Sequence, residues 1–185
     1  PVPLARLQPA NPPVRDLLGS APVPAWAAAA AAPGFWRPVS GFTDIAVSGS
    51  GLSARIASPE PILETAPGLS YAASNQQVLH LVLKNETGSG LAKVYWKTAA
   101  DGWSEVRSAL VPVVPNDIEW REYSWPIGQE PGYAGTITGL RFVPVTGSTD
   151  TGRIGLRLAE IRSDAVRQSG YRVPLRVQDL PADSF

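Results

Sequence analysis

The sequence predicts an all-β chain: a two-sheet antiparallel β-sandwich of the jelly-roll kind, carrying a Pro/Ala-rich N-terminal extension. Nineteen Pro and 17 Gly in 185 residues break the chain too often for long helices. The runs between the breakers alternate apolar and polar residues, as a strand buried on one face does. They recur at short spacing with a turn signal between each pair, and neither a helical period nor an internal repeat competes.

Taken in order, residues 1–34 stand apart as a Pro/Ala-rich linker or short helical extension. Val14–Leu18 offers one or two helical turns, and Pro24–Ala32 offers a short helix begun by Pro24 and stopped by Pro33-Gly34. Trp26 and Leu17 are the residues there able to dock on the sandwich. Residues 35–163 carry the sandwich itself. Gly51–Ile56 places Leu52, Ala54 and Ile56 on one face, and Pro61–Leu63 is a short run before the turn at Pro67-Gly68. Gln77–Lys84 points Leu79, Leu81 and Leu83 one way, and a tight turn over Asn85–Gly90 returns the chain into Leu91–Thr98. A further turn over Ala99–Trp103 precedes the run Ser104–Val113, and Pro115-Asn116-Asp117 precedes Ile118–Trp125. Residues 137–144 and 153–161 close the fold, with Ile137, Leu140, Phe142, Ile154 and Leu156 as core. Residues 164–185 are a C-terminal strand, through Val173, Leu175 and Val177, or a linker.

Composition removes several functions. Sixteen basic and 16 acidic residues balance, so the chain lacks the electrostatic footprint of a nucleic-acid binder or a polybasic membrane anchor. There is no Cys, hence no disulfide, thiolate nucleophile or Cys-based zinc site, and one His makes any transition-metal site improbable. No apolar run approaches the ~20 residues that span a bilayer. With no Met in it, the segment is expected to be a mature product or part of a longer chain.

The order of the pieces resembles the jelly-roll carbohydrate-binding modules of the galactose-binding-like superfamily. An early Gly-Leu strand is followed by the proline-marked Ser58-Pro-Glu-Pro-Ile62, then Leu81-Val-Leu-Lys84, Lys93-Val-Tyr-Trp-Lys-Thr98 and the Glu119–Tyr123 strand. The close matches aromatic-x-Gly-x-Ile-x-x-Leu-Arg-x-x-Pro over Tyr133–Pro144, followed by Gly-x-Ile-x-Leu over Gly152–Leu156. The resemblance covers about residues 36–162. The chain carries Tyr133 where such modules usually have Trp, and Val143 where they often have Asp. What the resemblance implies is sugar binding on a scaffold that also serves as a spacer or a docking module. It further implies one structural calcium near the chain ends of the fold, for which Asp44, Glu60 and Glu160 are the oxygen-bearing candidates.

A sugar site needs a flat aromatic face for pyranose C–H groups, with polar side chains beside it to bond hydroxyl groups. Tyr95, Lys97 and His80 meet that description if Val94 and Trp96 face the core; the opposite register exposes Trp96. Trp103, in a turn after Asp101-Gly102, is a loop-borne candidate, with local packing as the other reading. Tyr123 and Trp125 share one face of their strand and Trp120 the other, so one set is core and one exposed unless a bulge intervenes. His80, among alternating leucines, points away from the core as a surface polar residue.

Catalysis finds little support. No Gly-x-Ser-x-Gly elbow or phosphate loop exists, and Glu119 and Glu122 face opposite sides of a strand. The expectation is a non-catalytic module that binds a polysaccharide or oligosaccharide, at the exposed side of one sheet or the loop end near Trp103. Its parent would be a larger bacterial extracytoplasmic protein (secreted, periplasmic or cell-surface) whose other domains are its partners. The rivals are a structural or protein-interaction sandwich with no sugar site, and a small carbohydrate-active enzyme with two close carboxylates.

Overall fold

The computed structural model describes residues 21–22, 35–48, 51–147 and 151–163. The expected helical turns before Phe35, the docking of Trp26 and Leu17, and the strand through Val173–Val177 fall outside them. The strands are β1 (Ala21–Pro22), β2 (Trp36–Ser40), β3 (Phe42–Ser48), β4 (Gly51–Ile56), β5 (Ile62–Thr65) and β6 (Tyr71–Ala72), followed by β7 (Gln77–Asn85), β8 (Leu91–Thr98), β9 (Ser108–Pro112), β10 (Asp117–Trp125), β11 (Thr136–Val143) and β12 (Arg153–Ser163). Two single 3-10 turns, Glu105–Arg107 and Ile127–Gln129, are the helical elements among the described residues. None of those residues forms a helix long and apolar enough to cross a membrane.

The strands form two antiparallel sheets. Sheet I runs β10-β7-β12-β4-β3, with β1 paired to β12; sheet II runs β2-β5-β11-β8-β9, with β6 paired to β11. This is the two-sheet sandwich that the alternation predicts. Period two decides what lies between the sheets: Leu52, Ala54, Ile56, Leu79, Leu81, Leu83, Ile154 and Leu156 face inward from sheet I. Val94, Trp96, Ile137, Leu140 and Phe142 meet them from sheet II. Each large apolar side chain buried this way contributes about 1.5–3 kcal/mol against exposure.

Three strands come before Gly51, where the alternation first becomes readable. β2 lies in sheet II and β3 in sheet I, so the chain changes sheet at Gly41. Gly41 has φ +76°, and a Cβ there would lie 2.7 Å from the Pro61 Cα; only glycine fits the crossing. Trp36 then reaches from sheet II to donate its indole N–H to the Ala159 carbonyl of β12, at 3.1 Å. The run expected as one strand from Ser104 begins instead with the 3-10 turn and becomes β9 only at Ser108.

The Asn85–Gly90 turn carries a buried polar knot. Asn85 donates to the carbonyls of Ser89 (2.8 Å) and Val114 (3.0 Å), while Thr87 Oγ1 donates to Asn85 Oδ1 at 2.6 Å. These bonds tie the β7–β8 turn to the β9–β10 loop and satisfy backbone groups that water does not reach.

Candidate functional site

Because Val94, Trp96, Leu140 and Phe142 fill the core, their neighbours on β8 and β11 point outward from sheet II. The register sets Tyr95 opposite Arg141 and Lys97 opposite Gly139. It also sets Glu64 of β5 between Arg141 and Arg37. Trp103 enters from the β8–β9 connection and is half-buried against this face. The Arg141 guanidinium carbon lies 4.6 Å and the Lys97 ammonium 5.3 Å from its ring centroid, within cation–π range. Gly139 makes room for this, since a Cβ there would lie 2.7 Å from the Lys97 Cε.

Two ion pairs organise the rest of the face. Arg141 donates to Glu64 Oε1 from Nε (2.9 Å) and Nη2 (2.5 Å). Glu105 takes the Tyr95 hydroxyl on Oε1 at 2.7 Å and the Lys93 ammonium on Oε2. Hydrogen bonds from Lys93 and then Tyr95 hold the Glu105 carboxyl below its usual range. Lys93 is raised: burial works against its charge, but the bonds to Glu105 and Tyr95 outweigh it. Tyr95 is also raised, by burial first, and its outward ring is covered by its neighbours.

Beside this face an open groove of about 650 Å³ runs between residues 98–101 and 106–107 on one side and 131–136 on the other. The first wall belongs to the loop that carries Trp103. Arg107 pins that loop by donating to the Gly102 carbonyl from Nε (3.2 Å) and Nη2 (2.9 Å) and by pairing with Asp101 at 3.5 Å. The second wall is held from below: Trp96 Nε1 donates to the Gly132 carbonyl at 3.0 Å, and the Tyr133 ring packs edge-on to Trp96 at 5.4 Å. The Tyr71 and Tyr133 hydroxyls bond at 2.9 Å, and burial keeps both phenols protonated by raising their pKa values.

The structure thus brings Tyr95, Lys97 and Trp103 onto one face and leaves the other three candidate ligand residues in sheet I. His80 points away from the leucine core, yet it is only 4 % exposed, with Nδ1 3.2 Å from Ser124 Oγ. Burial and nearby Arg162 lower its pKa. Tyr123 and Trp125 are the set that packs toward the core, on the face that simple alternation along β10 gives them; the irregularity between Asp117 and Arg121 keeps that alternation. Their polar ends are occupied, Tyr123 Oη accepting from the Val114 amide (3.1 Å) and Trp125 Nε1 donating to Glu130 (2.8 Å). Trp120, on the opposite face, lies over the outer side of Gly155, with the Arg157 guanidinium carbon 4.3 Å from its ring. The three proposed calcium ligands do not converge. Asp44 pairs with Arg55 (3.4 Å) and Arg153 (3.6 Å), Glu160 pairs with Arg162, and Glu60 lies exposed in the β4–β5 loop. Among the described residues no three His, Asp or Glu side chains are grouped to hold a metal.

Sequence reasoning missed Arg141, Glu64, Glu105 and Arg37. The signal was present for Arg141, in the Leu140-Arg141 step of the closing strand: if Leu140 is core, its neighbour must face out. The carboxylates with resolved shifts, Glu105 and Asp117, both move down; for Asp117 the causes are the Glu119 amide and then Arg121. A general acid for glycoside hydrolysis needs the opposite shift.

The chain matches no protein-family model and no curated protein. Among solved structures it is similar to an exo-β-agarase, with TM-score 0.50 and 9 % identity over 73 % of this chain and 24 % of that one. It is also similar to a cellulose-binding domain of Cellulomonas fimi β-1,4-glucanase C, with TM-score 0.48, 11 % identity, and 75 % and 91 % coverage. A low-affinity xylan-binding module from Roseburia intestinalis aligns with TM-score 0.45, 9 % identity, and 69 % and 87 % coverage. The chain therefore spans most of the two binding modules and about a quarter of the agarase. At these identities the likeness is one of fold alone, a β-sandwich.

Proposed function

We propose that this chain is a non-catalytic carbohydrate-binding module of the galactose-binding-like type, with its ligand lying over Trp103 on the outer face of sheet II and along the adjoining groove. The observation that carries the reading is the Trp103 indole, partly open to solvent, braced by Arg141 and Lys97 and borne on the loop that forms one wall of that groove. A pyranose presents C–H groups to such a ring and hydroxyls to the Lys97, Glu64 and Glu105 side chains around it. Affinity is modest, because each hydroxyl gives up a water bond for a protein bond with little net gain. The carboxylates of the face are tied to cations or held low, which suits ligand positioning and not proton transfer. In this reading the parent protein is extracytoplasmic, with the module delivering its other domains to the polymer.

Affinity gel electrophoresis against a panel of soluble polysaccharides tests this. Retention by at least one polymer, reduced roughly tenfold by Trp103→Ala for a lost stacking contact, is the expected result. Binding that survives Trp103→Ala unchanged removes this face as the site.

A further inference from the structure

The charge of the proposed face differs from that of the chain. Across the outer side of sheet II stand four cations, Arg37, Lys93, Lys97 and Arg141, against two carboxylates, Glu64 and Glu105. Glu105 neutralises Lys93, and Glu64 neutralises Arg141. Among the described residues no carboxylate pairs with Lys97 or Arg37. The face therefore keeps an excess of two positive charges within a chain of formal net charge zero.

Lys97 is also not free to leave. Its stem lies across Gly139 and its ammonium rests over the Trp103 ring, so the charge is fixed next to the surface on which a sugar would stack. A cation already immobilised loses less freedom when it meets an anion, which raises the net gain of the contact. Arg37 marks the other end of the same face, beyond Glu64 on the edge strand β2.

We propose that Lys97 and Arg37 make this face selective for polysaccharides carrying carboxylate or sulfate groups. This rests on the reading of the face as a glycan site and names the ligand class it takes. The sugar ring lies on Trp103 with its anionic substituent toward Lys97, and a second anionic residue along the polymer meets Arg37.

The test uses the full 185-residue chain and its Lys97→Gln and Arg37→Gln variants. Affinity electrophoresis is run on polygalacturonate, alginate, carrageenan, xylan and carboxyl-reduced polygalacturonate. The expected result is preferential retention by acidic polymers, weakened roughly three- to tenfold by each variant. Raising NaCl from about 0.05 M to about 0.5 M weakens it further, because screening shortens the reach of exposed charges. Retention on xylan and on the reduced polymer is unaffected by Arg37→Gln. Preference for polygalacturonate and alginate identifies the anion as carboxylate, and preference for carrageenan identifies it as sulfate. Arg37 is exposed, so Arg37→Gln keeps the test sound should Lys97→Gln unfold the chain, which a melting curve reports. Equal binding of polygalacturonate and its carboxyl-reduced form overturns the charge selectivity and leaves sugar binding standing. Retention on polyanions that neither variant weakens overturns the roles of Lys97 and Arg37. Failure to bind any polymer overturns both readings.

Discussion

Asn85 illustrates how single side chains hold this fold. Its carboxamide is 1 % exposed when counted with its residue and serves the Ser89 and Val114 carbonyls and the Thr87 hydroxyl together. Asn85→Ala leaves those groups unpaired in a dry site, and the predicted loss is about 2–3 kcal/mol by urea denaturation. His80 provides the pH-sensitive counterpart. Its folded-state pKa lies below the unfolded value of 6.5, through burial and then Arg162, with Glu122 and Glu160 opposing the shift. Falling pH therefore protonates the unfolded chain first, and stability declines through the window just below that value. His80→Gln should flatten this part of the stability profile, measured by denaturation between about pH 7.5 and about pH 5.5. A profile identical to that of the parent chain would show that His80 is not the titrating group. Glu105 behaves in the reverse sense to a buried histidine gaining charge: its depressed pKa means that the tie to Lys93 and Tyr95 holds above the unfolded carboxylate value and is lost as pH falls through the folded one.

At the level of elements, β4, β5, β7, β8, β11 and β12 are legible from their apolar alternation, which sends one face of each into the core. β3 is not. It is the edge of sheet I, every residue after Phe42 is exposed, and Asp44 sits at φ +50°, which breaks the period. A strand with no buried face leaves no hydrophobic signature to read. β10 is legible as a strand, and its alternation separates Tyr123 and Trp125 from Trp120; what the local sequence leaves open is which set faces the core. The change of sheet at Gly41 is the element-level feature most exposed to mutation. Gly41→Ala combines an unfavourable positive φ with a collision against Pro61, and a loss of about 2–4 kcal/mol is predicted from thermal melting.

On the scale of the whole molecule, the sandwich carries its candidate ligand groups on one outer face and one loop end. Tyr95, Lys97 and Trp103 were readable as candidates because each is an aromatic or cationic residue at an outward or turn position. Arg141 and Glu64 were not joined to them, since their meeting depends on β11 lying between β5 and β8, a pairing between strands far apart in sequence. The same topology sets Trp96 and Tyr133 beneath the groove wall, so that core residues shape a surface they do not reach. Whether Trp103 and its braced face bind glycan is decided by polysaccharide retention of the parent chain beside Trp103→Ala, with melting curves to show that both are folded. The expected result is retention of the parent, a loss of roughly tenfold in the variant and matching melting curves; a folded parent chain that no polysaccharide retains overturns glycan binding at this face.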